Sequence, residues 1–356
     1  MRVLLVSGTF PPMKCGVGNY TADLSVSLAK RAGVEVGVLT SAGADESAAP
    51  GVRVLPAARG WGMADVPRIA SVLRSWRPDI VNIQYPTNVY GRGQWVLPGI
   101  ARLVNGPVAQ TWHEYHLKGN IPNLPNALLP GGLIVVRPHF LERMPSWYRA
   151  CLAFKKVAFI PNASSLPDIA LSREDRDGVL DRWGLSGGRP VAFFGFASPA
   201  KGVDLLFDIL DPAEHRLVLI CDLAPSDGYQ RTLLERADAP PWKGKVTVTG
   251  FLPAEDAARL LAAADAAVFP FREGGGEWNT SLRGAMAQGT FVLTTSDGRN
   301  GYSPGGNVYY AQPGNVGEMR NALARHIGAR GAGKKPSLEW EAIAERHVRF
   351  YESLVS

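Results

Sequence analysis

The chain has 356 residues, 46% of them hydrophobic and 20% charged, with a mean hydropathy near zero, the composition of a folded globular protein. That length exceeds one ordinary core and suits two domains of ~150–180 residues each. No apolar run approaches the ~20 residues of a membrane-spanning helix. The opening MRVLLVSGTFPP stops its apolar run at Gly8 and reads as a buried strand rather than a signal peptide. Three dispersed cysteines, Cys15, Cys151 and Cys221, make neither a disulfide framework nor a zinc pattern, which fits a reducing cytoplasm. The net charge of +6 is uneven: residues 1–160 carry 17 Lys+Arg against 8 Asp+Glu, and the remainder 21 against 24. A basic first half points to an anionic partner, such as a phosphate-linked acceptor or the peripheral face of a membrane, and reads equally as chance scatter of surface charge. Nucleic acid is not expected, because the basic residues neither interleave with aromatics nor form a known module.

Short β-rich runs alternate with helix-period stretches throughout, which predicts parallel sheets with helical crossovers. In chain order the first half offers strands at 3–8, 34–40, 52–56, 79–85, 107–113, 132–136 and 157–162. Tyr20, Leu24 and Leu28 mark a helix after the first strand, and Val66, Ile69, Val72 and Leu73 another. The polar, Pro-containing stretch 161–190 ends this half. The second half restarts with strands at 191–196, 216–221, 245–250, 266–271, 290–295 and 307–311. A helix over 254–264 follows Pro253, with Glu255 and Asp256 in its first turn, where the dipole favours them. The last segment sets Ile343, His347, Phe350, Tyr351 and Leu354 on one helical face, after a Gly/Lys-rich loop. The expected architecture is α/β: two Rossmann-like domains, 1–165 and 166–335, facing a central cleft, with a helix over 336–356 crossing back to the first.

In open parallel sheets ligands sit at the carboxyl ends of strands, so the loops there hold the candidates. The first, GTFPPMKCGVGNY, places Gly16 and Gly18 at a helix start, where free N–H groups suit an anion. It reads equally as a tight strand-to-helix turn. It is not a dinucleotide fingerprint, which needs a third glycine and an acidic end to the second strand. His113 ends a strand and is placed to orient a hydroxyl or handle a proton; a structural histidine is the plainer alternative. Lys201-Gly202 precede a helix, where a cation neutralises a departing diphosphate, although most lysines are simply solvated. The richest segment, PFREGGGEWNTSLRGAMAQGT, runs a strand into glycines and then into Asn279-Thr280-Ser281-Leu282 at a helix start. Glu273 and Glu277 lie within it as acceptors for sugar hydroxyls. A glycine-rich turn with an ordinary helix cap is the plainer reading there.

Taken together the segments FPPMKCGVGNY, PDIVNIQYP, TWHEY, VAFIPNAS, GFASPAKGVDLL, VTVTGFLPAEDAARLLAAADAAVFPF, LRGAMAQGTFVLTT and WEAIAERHVRFYE resemble a family 4 retaining glycosyltransferase over nearly the whole chain. The resemblance implies the glycosyltransferase B fold and transfer of a sugar from a nucleotide-sugar donor with retention at the anomeric carbon. It implies no metal or other cofactor, and an acceptor that is a glycan, a lipid-linked sugar or a small molecule. It puts Gly16 and Gly18 near the donor diphosphate, His113 near the donor sugar, and Lys201 on the phosphate. Two positions depart from the family pattern. Its usual Arg, three residues before the Lys, is Ser198. Its two glutamates fall on Gly276 and Gly284, leaving Glu277 or Glu273 to serve the donor sugar. A second reading therefore stands beside the enzyme: a non-catalytic relative that binds a sugar nucleotide or a partner transferase.

Overall fold

The computed structural model describes residues 1–85, 88–114, 121, 123–276, 278–296, 298–331 and 336–356. They form two units, one of Met1–Asn162 with Leu338–Ser356, the other of Ala163–Ser337. The breaks thus fall at 162 and 337, a few residues from the expected 165 and 335.

The first unit holds seven strands: β1 (Arg2–Val6), β2 (Glu35–Ser41), β3 (Arg53–Ala58), β4 (Ile80–Tyr85), β5 (Val108–Trp112), β6 (Gly132–Val135) and β7 (Lys156–Phe159). Their order is β3-β2-β1-β4-β5-β6-β7, and every pair is parallel. Such a sheet is covered on both faces, so its strands are near-continuous apolar runs; Val3 to Val6 are all essentially inaccessible. One face packs Leu4, Val6, Val81 and Ile83 against Ile69, Leu73 and Trp76.

The second unit repeats the plan with β8 (Arg189–Phe194), β9 (His215–Ile220), β10 (Val246–Val248), β11 (Ala266–Phe269), β12 (Phe291–Thr295), β13 (Gly301–Ser303) and β14 (Val308–Ala311). The order is β10-β9-β8-β11-β12-β14-β13. All pairs are parallel except β13 with β14. Thirteen of the fourteen strands match the runs in the sequence. The exception, β13, is three residues of Gly-Tyr-Ser, too short to show a period of two; it exists because Tyr302 lies opposite Tyr309.

The helix Pro336–Val355 belongs to the first unit from Leu338 onward. Trp340, Ile343, Ala344, His347 and Tyr351 are buried, and each large apolar side chain removed from water contributes about 1.5–3 kcal/mol. Gly132 in β6 makes room for it: a Cβ there would come within 2.6 Å of Leu354 and 2.8 Å of Phe350. Among the described residues no helix is long and apolar enough to cross a membrane.

In each sheet the strand order reverses direction once. The reversal lies between β1 and β4 in the first unit and between β8 and β11 in the second. The loops leaving those neighbours diverge and open a crevice at their carboxyl ends.

Candidate functional site

In the second unit the reversal point brings together the two segments singled out from the sequence. The loop after β8 carries Gly195, Ser198, Lys201 and Gly202; the loop after β11 carries the glycine run and the start of the helix Thr280–Ala287. They touch through positions that tolerate no side chain. Gly195 has φ +123°, and a Cβ there would lie 2.5 Å from Ser281 Oγ. Gly202 has φ +65°, and its Cβ would lie 2.1 Å from the carbonyl oxygen of Pro270. Asn279 caps the helix, accepting from the Ser281 N–H at 3.1 Å. The remaining first-turn N–H groups, with the positive end of the dipole, suit an anion. Leu282 is fully buried, so only its backbone N–H is available to a ligand.

Ser198 precedes a single 3₁₀ turn, Pro199–Lys201. The Lys201 ammonium lies 4.6 Å from the centroid of the Phe271 ring, a cation–π contact that holds it over the β11 loop. Arg272, which sequence reasoning passed over, clasps this turn. Its backbone N–H donates to Ala200 O at 3.1 Å and its Nε to Pro199 O at 3.2 Å. Its guanidinium pairs with Asp204, which also accepts from the Tyr229 hydroxyl at 2.7 Å. The only signal available in sequence was its place, three residues after the end of β11.

The glycine run has a packing explanation of its own. A Cβ on Gly275 would meet the Phe271 ring at 2.0 Å, and one on Gly276 the Trp278 ring at 2.1 Å. Glu273 is exposed on the preceding turn; Glu277 lies outside the described residues. Gly284 faces Leu166, whose Cδ1 would be 2.9 Å from an added Cβ. Both positions where the family pattern has glutamate are therefore closed by neighbouring apolar side chains.

In the first unit the helix Gly16–Ala29 begins at the end of the β1 loop. Gly18 is closely packed: a Cβ would sit 3.0–3.1 Å from Thr9. Gly16 has nothing within 4 Å, and Cys15 at the N-cap makes no side-chain cap bond, so this helix start is open.

His113 directly follows β5. Its backbone N–H donates to Tyr85 O at 2.7 Å, and its Nε2 lies 2.9 Å from Gln84 Oε1. With the Gln84 oxygen as acceptor, Nε2 carries the proton and Nδ1 keeps a lone pair. Burial, then the proximity of His347, push the His113 pKa down to about 3. The ring keeps some exposure, which tempers that fall, but it is neutral at pH 7 either way. Such a ring orients hydroxyls; it is not a cation.

Behind it stands a group the sequence did not assemble. Tyr20 packs edge-on to His113 at 4.7 Å between centroids. The Tyr20 hydroxyl lies 3.4 Å from His347 Nε2, while His347 Nδ1 donates to Ile343 O at 2.8 Å. Asn82 Nδ2 donates to the Tyr351 hydroxyl, and Thr111 Oγ1 to Asn82 Oδ1 at 3.0 Å. The C-terminal helix thereby reaches the strands that carry His113. The inward placing of His347 was legible from helical period; its partner Tyr20, 327 residues away, was not.

Two family models match the chain. Residues 15–154 match the glycosyl transferase 4-like domain, and residues 188–328 match glycosyl transferases group 1. Among solved structures, sucrose-phosphate synthase from Thermosynechococcus elongatus is similar with a TM-score of 0.74 at 16% identity, covering 99% of this chain and 98% of that one. Anabaena HepE in complex with UDP-glucose gives 0.70 at 15%, covering 100% and 98%. The catalytic domain of starch synthase IV from Arabidopsis thaliana, bound to ADP and acarbose, gives 0.68 at 14%, covering 99% and 99%. At these identities the likeness concerns the fold. No curated protein matches the chain. The two models between them account for both Rossmann-like units, and the chain belongs to the group 1 glycosyl transferases: it is a glycosyltransferase.

Proposed function

We propose that the protein moves a sugar from a nucleotide-sugar donor to a glycan, lipid-linked or small-molecule acceptor, with retention at the anomeric carbon and without a metal ion. The observation that carries this reading is the seat at the reversal point of the second sheet. There a lysine and a capped helix start meet at glycines that admit no side chain. That is a diphosphate site by its chemistry. HepE and starch synthase IV, similar in fold, are described in complex with UDP-glucose and with ADP respectively, which supports a nucleotide donor.

In this reading Lys201, the N–H groups of Thr280 and Leu282 and the Ser281 hydroxyl receive charge as the bond from the anomeric carbon to the diphosphate oxygen breaks. The acceptor oxygen bonds to the anomeric carbon on the same face, and its proton passes to the departing phosphate oxygen. No carboxylate nucleophile is needed. His113, neutral, serves as a hydrogen-bond partner for a donor-sugar hydroxyl. Lys201 supplies the positive charge, with the Arg272–Asp204 pair fixing the turn that presents it. The three cysteines are free, and we place the reaction in the cytoplasm.

The test is a thermal-shift screen against UDP-, GDP-, ADP- and dTDP-sugars, each with and without EDTA. A donor at 100 times its dissociation constant adds about 2.7 kcal/mol, a shift of a few degrees. One base should stabilise the protein equally with EDTA present. No shift from any nucleotide sugar at millimolar concentration would refute donor binding and favour a non-catalytic relative. A shift that EDTA abolishes would refute metal independence.

A further inference from the structure

The crossovers of the first unit return to the sheet at the amino ends of its strands, and the last three returns carry large apolar side chains out into solvent. Leu103, 89% exposed, lies on the approach to β5. Leu128 and Leu129, 50% and 38% exposed, precede β6, and Phe154, 99% exposed, precedes β7. These turns share one surface. A Cβ on Gly99 would lie 3.5 Å from Leu129 Cδ1, and Lys155 Nζ donates to Leu128 O and, at 2.6 Å, to Pro130 O.

Cations surround the apolar group. Arg102 and Lys156 are exposed beside it, and Lys155 is near enough to Arg102 for that charge, after burial, to lower its pKa. The three turns, 101–107, 127–132 and 151–156, contain no Asp or Glu. Farther along the same edge stand Arg2, Lys30, Arg31, Arg53, Arg74 and Arg77, at the ends of helices and starts of strands. The acidic neighbours are Glu35, paired with Arg2, Asp79, which accepts from the Arg2 N–H, and Glu352 near the end of the C-terminal helix. The uneven charge of the sequence is thus concentrated on one edge.

We propose that this amino edge docks on an anionic lipid surface, with Phe154 and Leu103 entering the headgroup region and the Lys and Arg side chains lying among the phosphates. The shape argues for a bilayer. Single side chains that protrude almost fully exposed insert into a soft interface, whereas a protein partner's contact would be a packed patch or groove. The charge argues the same way: each Lys or Arg at an anionic leaflet contributes about fivefold to affinity, and burying an exposed Phe or Leu on the order of tenfold or more. A second copy of this face would bring like charge against like. His113 lies at the opposite end of β5, a strand ~17 Å long, so docking leaves it facing the aqueous phase.

The experiment is co-sedimentation of the full chain with vesicles of phosphatidylcholine alone and of phosphatidylcholine with 30% phosphatidylglycerol, at low and high salt. It needs no sugar substrate and is independent of the donor reading. The wild type should bind the phosphatidylglycerol vesicles at low salt, at least tenfold more weakly at 0.5 M salt, and not the neutral ones. Leu103→Ser with Phe154→Ser, and separately Arg77→Glu with Arg102→Glu, should each weaken binding at least tenfold. All four positions are exposed, and Arg102 gives up one bond to Gly106 O, so the melting temperature should fall by no more than a few degrees. No binding of the wild type to phosphatidylglycerol vesicles overturns the proposal, as does wild-type binding by both double variants. A dimer that Phe154→Ser dissociates, or retention on heparin, in either case without vesicle binding, also overturns it, in favour of a second copy or a soluble polyanion.

Discussion

Acidification from pH 7 to pH 5 should loosen the C-terminal helix from the first sheet through His347. This ring is fully buried, donates from Nδ1 to Ile343 O, and presents a bare Nε2 to the Tyr20 hydroxyl. Burial is the main cause that pushes its pKa down to about 4, whereas an unfolded histidine titrates near 6.5. A folded value below the unfolded one means the stability is complete above pH 6.5 and is lost as pH falls toward 4. Between pH 7 and pH 5 the unfolded chain takes up almost one proton that the folded chain refuses, a loss of about 1.8 kcal/mol. His113 titrates in the same sense; discounted for its partial exposure, it adds about 1 kcal/mol. Carboxylates held low, such as Asp65, act only at more acid pH, so the window isolates imidazoles. His215 in the second unit is also lowered, by burial, and a global melt would mix the two units. The assay is therefore hydrogen exchange of residues 340–355, corrected for the intrinsic rate, in the wild type and in His347→Gln. The wild type should lose about 2–3 kcal/mol of protection, and the variant about 1.8 kcal/mol less than that. Equal pH dependence in the two proteins would refute the assignment to His347.

Lys201→Ala should lower turnover about a hundredfold or more with the melting temperature unchanged, since its charge is spent on the leaving diphosphate; wild-type turnover would refute the assignment. Gly195→Val places a branched side chain at φ +123° and against Ser281. It should cost about 2–4 kcal/mol in urea unfolding and abolish any nucleotide-dependent thermal shift. Gly284→Glu restores the family's carboxylate but drives it into Leu166. It should destabilise the second unit by about 1–3 kcal/mol, and adding Leu166→Ala should recover part of the shortfall in nucleotide binding. Asp65→Ala strands the N–H groups of Arg59, Gly60 and Trp61, which it accepts at 2.7–3.1 Å. A loss of about 2–3 kcal/mol in urea unfolding is expected.

The sequence by itself determined the architecture. Strands buried on both faces must be continuous apolar runs, and parallel neighbours must be joined by helices, so β1, β4, β8 and β11 are legible from residues a few positions apart. The inward face of the last helix is legible for the same reason, because Ile343, His347 and Tyr351 repeat at its period. The candidate loops were legible as well, since a strand end followed by glycines and a capping Asn is a local pattern. Tertiary structure alone decided what those loops meet. Gly195 is glycine because of Ser281, Gly202 because of Pro270, and Gly284 because of Leu166; each pair is set by strand order, which brings β8 beside β11 across more than 70 residues of chain. The companions of His113 came together the same way, with Tyr20 from the first helix and His347 from the last. The clustering of charge and exposed leucines on one sheet edge was likewise invisible as linear sequence. Helix ends scattered along the chain become neighbours only when parallel strands align all their amino ends on one side.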